Sequence, residues 1–278
     1  LRRAINFVSA IKLQQKVGTT PVTRVIAVAN QKGGVGKTTT SVNLSASLAL
    51  SGSNVLLIDL DPQGNATMGS GVDKSAIEQS VYDWLVHAVA LPTVTRRCQA
   101  GYDLMPGGAD LTAAEIELMT QTRREFRMRD RLALDARAYD YVLIDCPPSL
   151  NILTLNALIA AHSVLIPMQC EYFALEGLSS LLETIEGVRS KANPSLLIEG
   201  LLRTMYDPRN SLTQDVSRQL IKHFGDQVFR TVIPRNVRLA EAPSHGLPVI
   251  LYDRHSRGAV AYMALAGEIR RRLSGSPS

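Results

Sequence analysis

Cysteine is scarce in this chain of 278 residues, and its three copies, Cys98, Cys146 and Cys170, stand far apart. Without a C-x-x-C pair, zinc and iron–sulfur centres are poorly supported, and an odd, sparse set suits a reducing compartment better than a disulfide framework. Long apolar runs are missing as well. The longest, such as YVLIDCPP and SVLIPM, are strand-sized, far below the roughly 18 to 20 residues that span a bilayer. No stable membrane insertion is therefore expected, although contact with a membrane surface stays open. Acidic residues are absent from positions 1–23, where Arg2, Arg3, Lys12 and Lys16 accompany a weakly amphipathic pattern that GTTP interrupts. Such a stretch can mimic a transit peptide. The plainer expectation is a flexible extension, too short for a separate folded domain. Repeats and low-complexity linkers are also lacking, so residues 24–273 read as one domain, with a disordered tail at 274–278.

What is present is ordinary in bulk and ordered in detail. A hydrophobic content of 45% and a charged content of 20% are those of a globular protein with a substantial core. The formal charge of +5 mildly favours a polyanionic partner. Short apolar runs at 24–29, 54–59, 102–107, 139–145, 163–168, 195–202 and 231–234 read as buried strands. Helix-length segments at 38–51, 151–161, 174–190, 212–223 and 258–272 lie between or after them. That alternation predicts an α/β fold, a mostly parallel, twisted sheet of about seven to eight strands with helices on both faces.

The stretch NQKGGVGKTTT, residues 30–40, follows the first of these strands and opens a helix. It meets the end of the phosphate-loop pattern G-x-x-x-x-G-K-[ST] with Gly36, Lys37 and Thr38 but places Gln31 where its first glycine is due. Next comes a second lysine, Lys32. Backbone N–H groups of such a turn and of the helix start point at phosphates, and Gly33, Gly34 and Gly36 permit the close approach. Within this loop, from Gly33 through Val35 to Thr39, Lys37 would hold the β- and γ-phosphates and Thr38 would ligate Mg²⁺. Two aspartates, Asp59 and Asp61 in LLIDLDPQGNAT, end the second strand two residues apart, on one face of an extended chain. A third, Asp145 in YVLIDCPPS, closes another apolar strand. Single aspartates at strand ends commonly cap the next helix. Three of them, where open α/β sheets bind ligands, point to a P-loop NTPase.

KGGVGKTTT, LLIDLDPQGNAT, VLIDCPPS, RTMYDPRN, VIPRNVRLAEAPSHGLPV and SRGAVAYMALA, in this order over about residues 24 to 272, resemble the ParA/Soj family of chromosome- and plasmid-partitioning ATPases. These belong to the deviant Walker A class, which also includes MinD and the nitrogenase iron protein. The resemblance implies the class pattern K-G-G-x-x-K-[ST], in which Lys32 reaches across a dimer interface to the partner's nucleotide. It further implies that Asp61 positions or deprotonates the attacking water, that Asp59 and Asp145 form the Mg²⁺ shell, and that Pro234 and Asn236 frame and read the adenine. Lys32, Lys37 and Asp61 are the catalytic candidates. One departure is Asn151 after CPPSL, where many relatives have glycine; it follows the Walker B loop and removes no ligand. ATP and Mg²⁺ are the implied cofactors, with hydrolysis weak until a partner stimulates it.

The same resemblance implies an ATP-bound homodimer that binds double-stranded DNA without sequence preference and is released when a ParB-like centromere-binding protein stimulates hydrolysis. A cytoplasmic, nucleoid-associated protein would follow. The basic groups at 123–131, 203–238, 254–257 and 270–272 supply charge for this, and Arg203, Arg218, Lys222, Arg238, Arg270 and Arg271 are the candidate DNA contacts. A solvated helix face is the bland reading of each group. The alternative is a MinD-like positioning ATPase that cycles on a membrane or scaffold, which requires a C-terminal amphipathic membrane helix. A reductase of the iron-protein type lacks its cluster cysteines here. A DNA-binding regulator without catalysis conflicts with Lys37, Thr38, Asp61 and Asp145.

Overall fold

A computed structural model describes residues 23–172 and 174–274. The extension expected over 1–23, apart from Thr23, and the tail expected over 274–278, apart from Ser274, lie outside the described residues.

Strands β1 (Arg24–Val28), β2 (Val55–Asp59), β3 (Arg96–Arg97), β4 (Asp103–Met105), β5 (Tyr141–Asp145), β6 (Ser163–Gln169), β7 (Leu197–Tyr206) and β8 (Val228–Pro234) form one sheet. Their order is β3-β4-β2-β5-β1-β6-β7-β8. Every neighbouring pair is parallel except β3 with β4. The apolar runs explain this arrangement. β2 and β5 are buried along their whole length, which requires a cover on both faces, and parallel strands joined by crossover helices provide it.

The period-2 alternation of each strand divides its side chains between two cores. Val25, Ala27, Leu56, Ile58, Val142 and Ile144 enter one; Ile26, Val28, Val55, Leu57, Tyr141 and Leu143 enter the other. Helices α1 (Lys37–Leu50) and α7 (Arg257–Ser274) close the second core, with Leu44, Leu48, Tyr262, Leu265 and Ile269 packed inward. Helices α2 (Leu111–Thr120), α3 (Arg127–Asp135), α4 (Ile152–Ala160), α5 (Ala174–Lys191) and α6 (Ser211–Phe224) cover the first. Among the described residues no helix is long and apolar enough to cross a membrane.

The eight strands fall within the expected range. The structure adds elements between residues 60 and 140 that the pattern does not reveal. β3 is two arginines long and antiparallel, with no apolar signal of its own. In α2 the buried Leu111, Ala114 and Leu118 make a helical stripe, but exposed Ile116 and Met119 blur its period.

Candidate nucleotide site

The central strands β2, β5 and β1 end level. Val28 and Asp59 both stand in register with Asp145. Asp59 and Asp145 therefore lie side by side at the carboxyl edge, next to the loop that leaves β1. That loop turns through left-handed backbone at Gly34 (φ 72°) and Gly36 (φ 86°), a region a β-carbon disfavours. Gly36 also caps α1 without a side-chain hydrogen bond, and no acid occupies the first turn of α1. The first N–H groups and the positive end of the helix dipole are left for an anion.

Lys37 is 7% exposed, and its ammonium donates to the Lys32 carbonyl at 3.1 Å. Burial lowers its pKa, while the charges of Asp145 and Asp61 oppose that shift. Its charge thus sits in the low-dielectric floor of the loop, where it interacts strongly with phosphate. Lys32 points elsewhere. Its ammonium bonds the Glu171 carboxylate at 2.7 Å, with both side chains partly exposed.

The three aspartates differ in what already holds them. Asp59 is fully buried; its Oδ2 accepts the N–H and the hydroxyl of Thr67, each at 2.7 Å, and its Oδ1 accepts the Asp61 N–H at 3.2 Å. Asp145 is equally buried. Its Oδ1 accepts the Ser41 hydroxyl at 2.8 Å, but its Oδ2 has no hydrogen-bond partner. Burial raises the pKa of both carboxyls, and for Asp145 the neighbouring Asp59 charge adds to it. A buried carboxylate oxygen without a donor is costly unless a cation meets it. The residues present thus fit magnesium: Asp145 and Thr38 would hold it, with Asp59 fixing the loop behind them. Asp61 lies just under the surface, and its Oδ1 accepts the Gln63 N–H at 2.9 Å, which orients the carboxyl at the rim of the same site.

Pro234 ends β8 and Asn236 caps the short helix Val237–Glu241, accepting the Arg238 N–H at 3.0 Å. β8 is three strands from β1, and the link between them is β7. The Thr204 hydroxyl of β7 donates to the Val35 carbonyl at 2.8 Å, and Tyr206 is in register with Pro234. The adenine candidates therefore share the carboxyl edge with the phosphate loop. Asn151 caps α4, accepting the Thr154 N–H at 3.0 Å, and donates to Glu115 at 2.5 Å. A glycine can do neither.

Thr67, Ser41, Thr204, Asn30 and Glu171 also build the site, and the sequence reading passed over them. Ser41 follows Lys37 by one helical turn, so its direction toward the site was readable from spacing. The others carry no local signal.

The basic candidates do not form one patch. Arg203 is corrected outright. It is 7% exposed, and its guanidinium donates to the Ser217 hydroxyl and to the Phe229 and Arg230 carbonyls at 2.8–3.2 Å. It ties β7 to α6 and β8 inside the fold, away from any nucleic acid. Arg218 is exposed and paired with Asp215, and Lys222 is exposed one turn later on α6. Arg238 bonds Glu241 and Asp253 at the nucleotide edge. Arg270 and Arg271 are exposed on the last turns of α7, where Arg270 donates to the Ser51 carbonyl at the far end of α1. Helices return antiparallel to the strands, so these two lie at the opposite end from Arg238.

A twisted parallel sheet with a phosphate loop after its central strand, a buried lysine and magnesium-fitting aspartates at neighbouring strand ends defines a P-loop nucleotide hydrolase. A family model described as an AAA domain matches residues 23–198. Soj, the sporulation initiation inhibitor protein of Bacillus subtilis, is 54% identical over 247 residues, 88% of this chain and 98% of that protein. The chromosome partitioning protein ParA of Caulobacter vibrioides is 53% identical over 249 residues, 88% and 93% of the two chains. Crystal structures of a Mycobacterium smegmatis protein named cobyrinic acid a,c-diamide synthase superpose with a TM-score of 0.80 at 39% identity, covering 92% of this chain and at least 97% of that one. They hold magnesium with ADP or with an ATP analogue. This chain belongs to the ParA/Soj family of P-loop ATPases.

ATP and magnesium are the cofactors that the site fits. Bound magnesium supplies positive charge beside the phosphates. The loop N–H groups and Lys37 would hold the phosphates, and Asp61 at the rim would orient water or accept its proton.

Proposed function

We propose that this protein is a DNA-partitioning ATPase whose ATP-bound form is a homodimer that holds double-stranded DNA without sequence preference. Hydrolysis, stimulated by a ParB-like centromere-binding protein, returns it to a monomer that lets go. In a cell it would then be cytoplasmic and associated with the nucleoid.

The division of labour between the loop's two lysines carries this reading. Lys37 alone occupies the interior of the phosphate loop, whereas Lys32 lies outside it with a partly exposed ammonium. A charge placed there is positioned to serve a second subunit's nucleotide, which makes ATP part of a dimer interface. Partitioning as the cargo-moving role rests on the names of the Caulobacter, Myxococcus and Treponema relatives. The packing of Tyr262, Leu265 and Ile269 of α7 into the core leaves that face unavailable to a bilayer and favours DNA over the membrane-cycling alternative.

The test is Lys32→Ala. Binding of a fluorescent ATP analogue should persist, while ATP-dependent dimerisation in sedimentation and ATP-dependent DNA binding at low salt should both fall away. Undiminished DNA binding by a monomeric Lys32→Ala protein would sink the proposal.

A further inference from the structure

The half-loop 30–32 is fastened to one neighbouring unit, the end of β6, the turn after it and the middle of α5. Asn30 donates to the Pro167 carbonyl at 2.8 Å and accepts the Lys32 N–H at 3.0 Å. Gln31 bonds Ser180 at 3.1 Å and Thr184 at 3.3 Å on α5. Lys32 completes the set through Glu171, in the turn between β6 and α5. Gln31 stands where an ordinary phosphate loop has glycine, and its side chain is what reaches α5. Only the Lys32–Glu171 contact in this set is a charge pair, and its two side chains are about 40% open to water. An ion pair so exposed is weak, screened by salt and open to exchange. A polyphosphate presents several negative oxygens to one ammonium and competes well against a single carboxylate.

We propose that Glu171 is a positioning residue that holds Lys32 within its own protomer and so sets the ATP threshold for dimerisation. The inference rests on the trans role of Lys32 argued above and adds what that role displaces. In the free protomer the Lys32 charge is neutralised in cis. ATP on a facing protomer draws the ammonium away and uncovers Glu171, at the cost of the ion pair, once on each side. Loss of the γ-phosphate weakens the competitor, and the cis pair re-forms, favouring separation. The consequence reaches beyond the loop, because the carbonyl of the adjoining Cys170 accepts from Thr213 at 3.4 Å, in the first turn of α6. That helix carries Arg218 and Lys222.

The experiment is sedimentation velocity with ATP and magnesium for the full chain, Glu171→Gln and Lys32→Ala. An exposed pair contributes a factor of about 1.4 to 5, so removing two per dimer should tighten the Glu171→Gln dimer about 2- to 25-fold. Raising salt from about 0.1 M to about 1 M shortens the screening length from about 10 Å to about 3 Å, and the gap from the parent should narrow; a merely structural role would leave that ratio fixed. Glu171→Asp, which keeps the charge on a shorter arm, should move in the same direction by less, and it serves if the glutamine variant does not fold. An unchanged or weaker dimer for the Glu171 variants, with Lys32→Ala monomeric, overturns this inference alone. Lys32→Ala dimerising like the parent overturns the trans reading beneath it.

Discussion

Asp59, Asp61 and Asp145 sit at neighbouring strand ends, and their hydrogen bonds separate their tasks. Asp59 has both oxygens engaged by Thr67 and the Asp61 backbone, Asp145 keeps one buried oxygen without a donor, and Asp61 lies nearest the surface of the three. Asp61→Ala should therefore bind ATP and magnesium about as well as the parent but lose about 10²- to 10⁴-fold in hydrolysis, the usual worth of a positioned base. A nucleotide titration beside a phosphate-release assay checks this; a matching loss of nucleotide affinity would reassign the residue. Thr67→Val keeps the shape and removes the hydroxyl that Asp59 accepts at 2.7 Å. Stability should drop by about 1–3 kcal/mol, because a buried carboxylate loses a donor, measurable as a lower urea midpoint.

At the scale of elements, β8 shows how an edge strand is held. Its backbone N–H groups at Arg230 and Thr231 both donate, at 2.9 Å, to the carboxylate of Glu268 on α7, which also accepts from Arg272. Burial pushes the Glu268 pKa up, but the Thr231 and Arg230 N–H groups outweigh it, and the net shift is downward. A folded pKa below the unfolded one means that stability is present above the ordinary glutamate range, near 4.5, and lost as pH falls through the lower folded value. Glu268→Gln should cost about 1.5–3 kcal/mol at neutral pH, as charged hydrogen bonds do, and the difference from the parent should shrink as pH drops below about 4.5. Urea unfolding at pH 7 and pH 4 reads both. A difference independent of pH would show that the carboxylate's charge contributes nothing.

The central strands were legible for the same reason that they are central. β1, β2 and β5 are largely apolar because both faces are covered; β2 and β5 end in Asp59 and Asp145, and β1 leads into the phosphate loop. β3 was not, since an edge pair of arginines is fixed by its β4 partner and has no pattern of its own. Lys37, Asp59, Asp61 and Asp145 were readable because phosphate loops and strand ends impose local spacing. Thr204 and Glu171 were not, because they reach the loop from residues 169 and 139 positions away and only the topology brings them there. Arg203 was misassigned because an arginine in a basic neighbourhood looks the same from sequence whether its guanidinium meets water or backbone carbonyls.

For the whole molecule, one sheet runs from β3 to β8 with continuous cores on both faces, so residues 24–273 are expected to unfold as one unit. Scattered basic side chains on such a body make each protomer a weak ligand for DNA, and pairing two protomers changes the arithmetic. Affinity falls with salt at a logarithmic slope near −0.9 for each phosphate neutralised. With roughly three or four phosphates per protomer, a dimer would double the slope and bind where a monomer does not. The most direct measurement is binding of the full chain to random-sequence duplex DNA with ATP, with ADP and without nucleotide, across a salt series. The account predicts binding with ATP and magnesium only, lost steeply as salt rises. Binding that is the same in all three nucleotide states, or none while ATP still drives dimerisation, would contradict it.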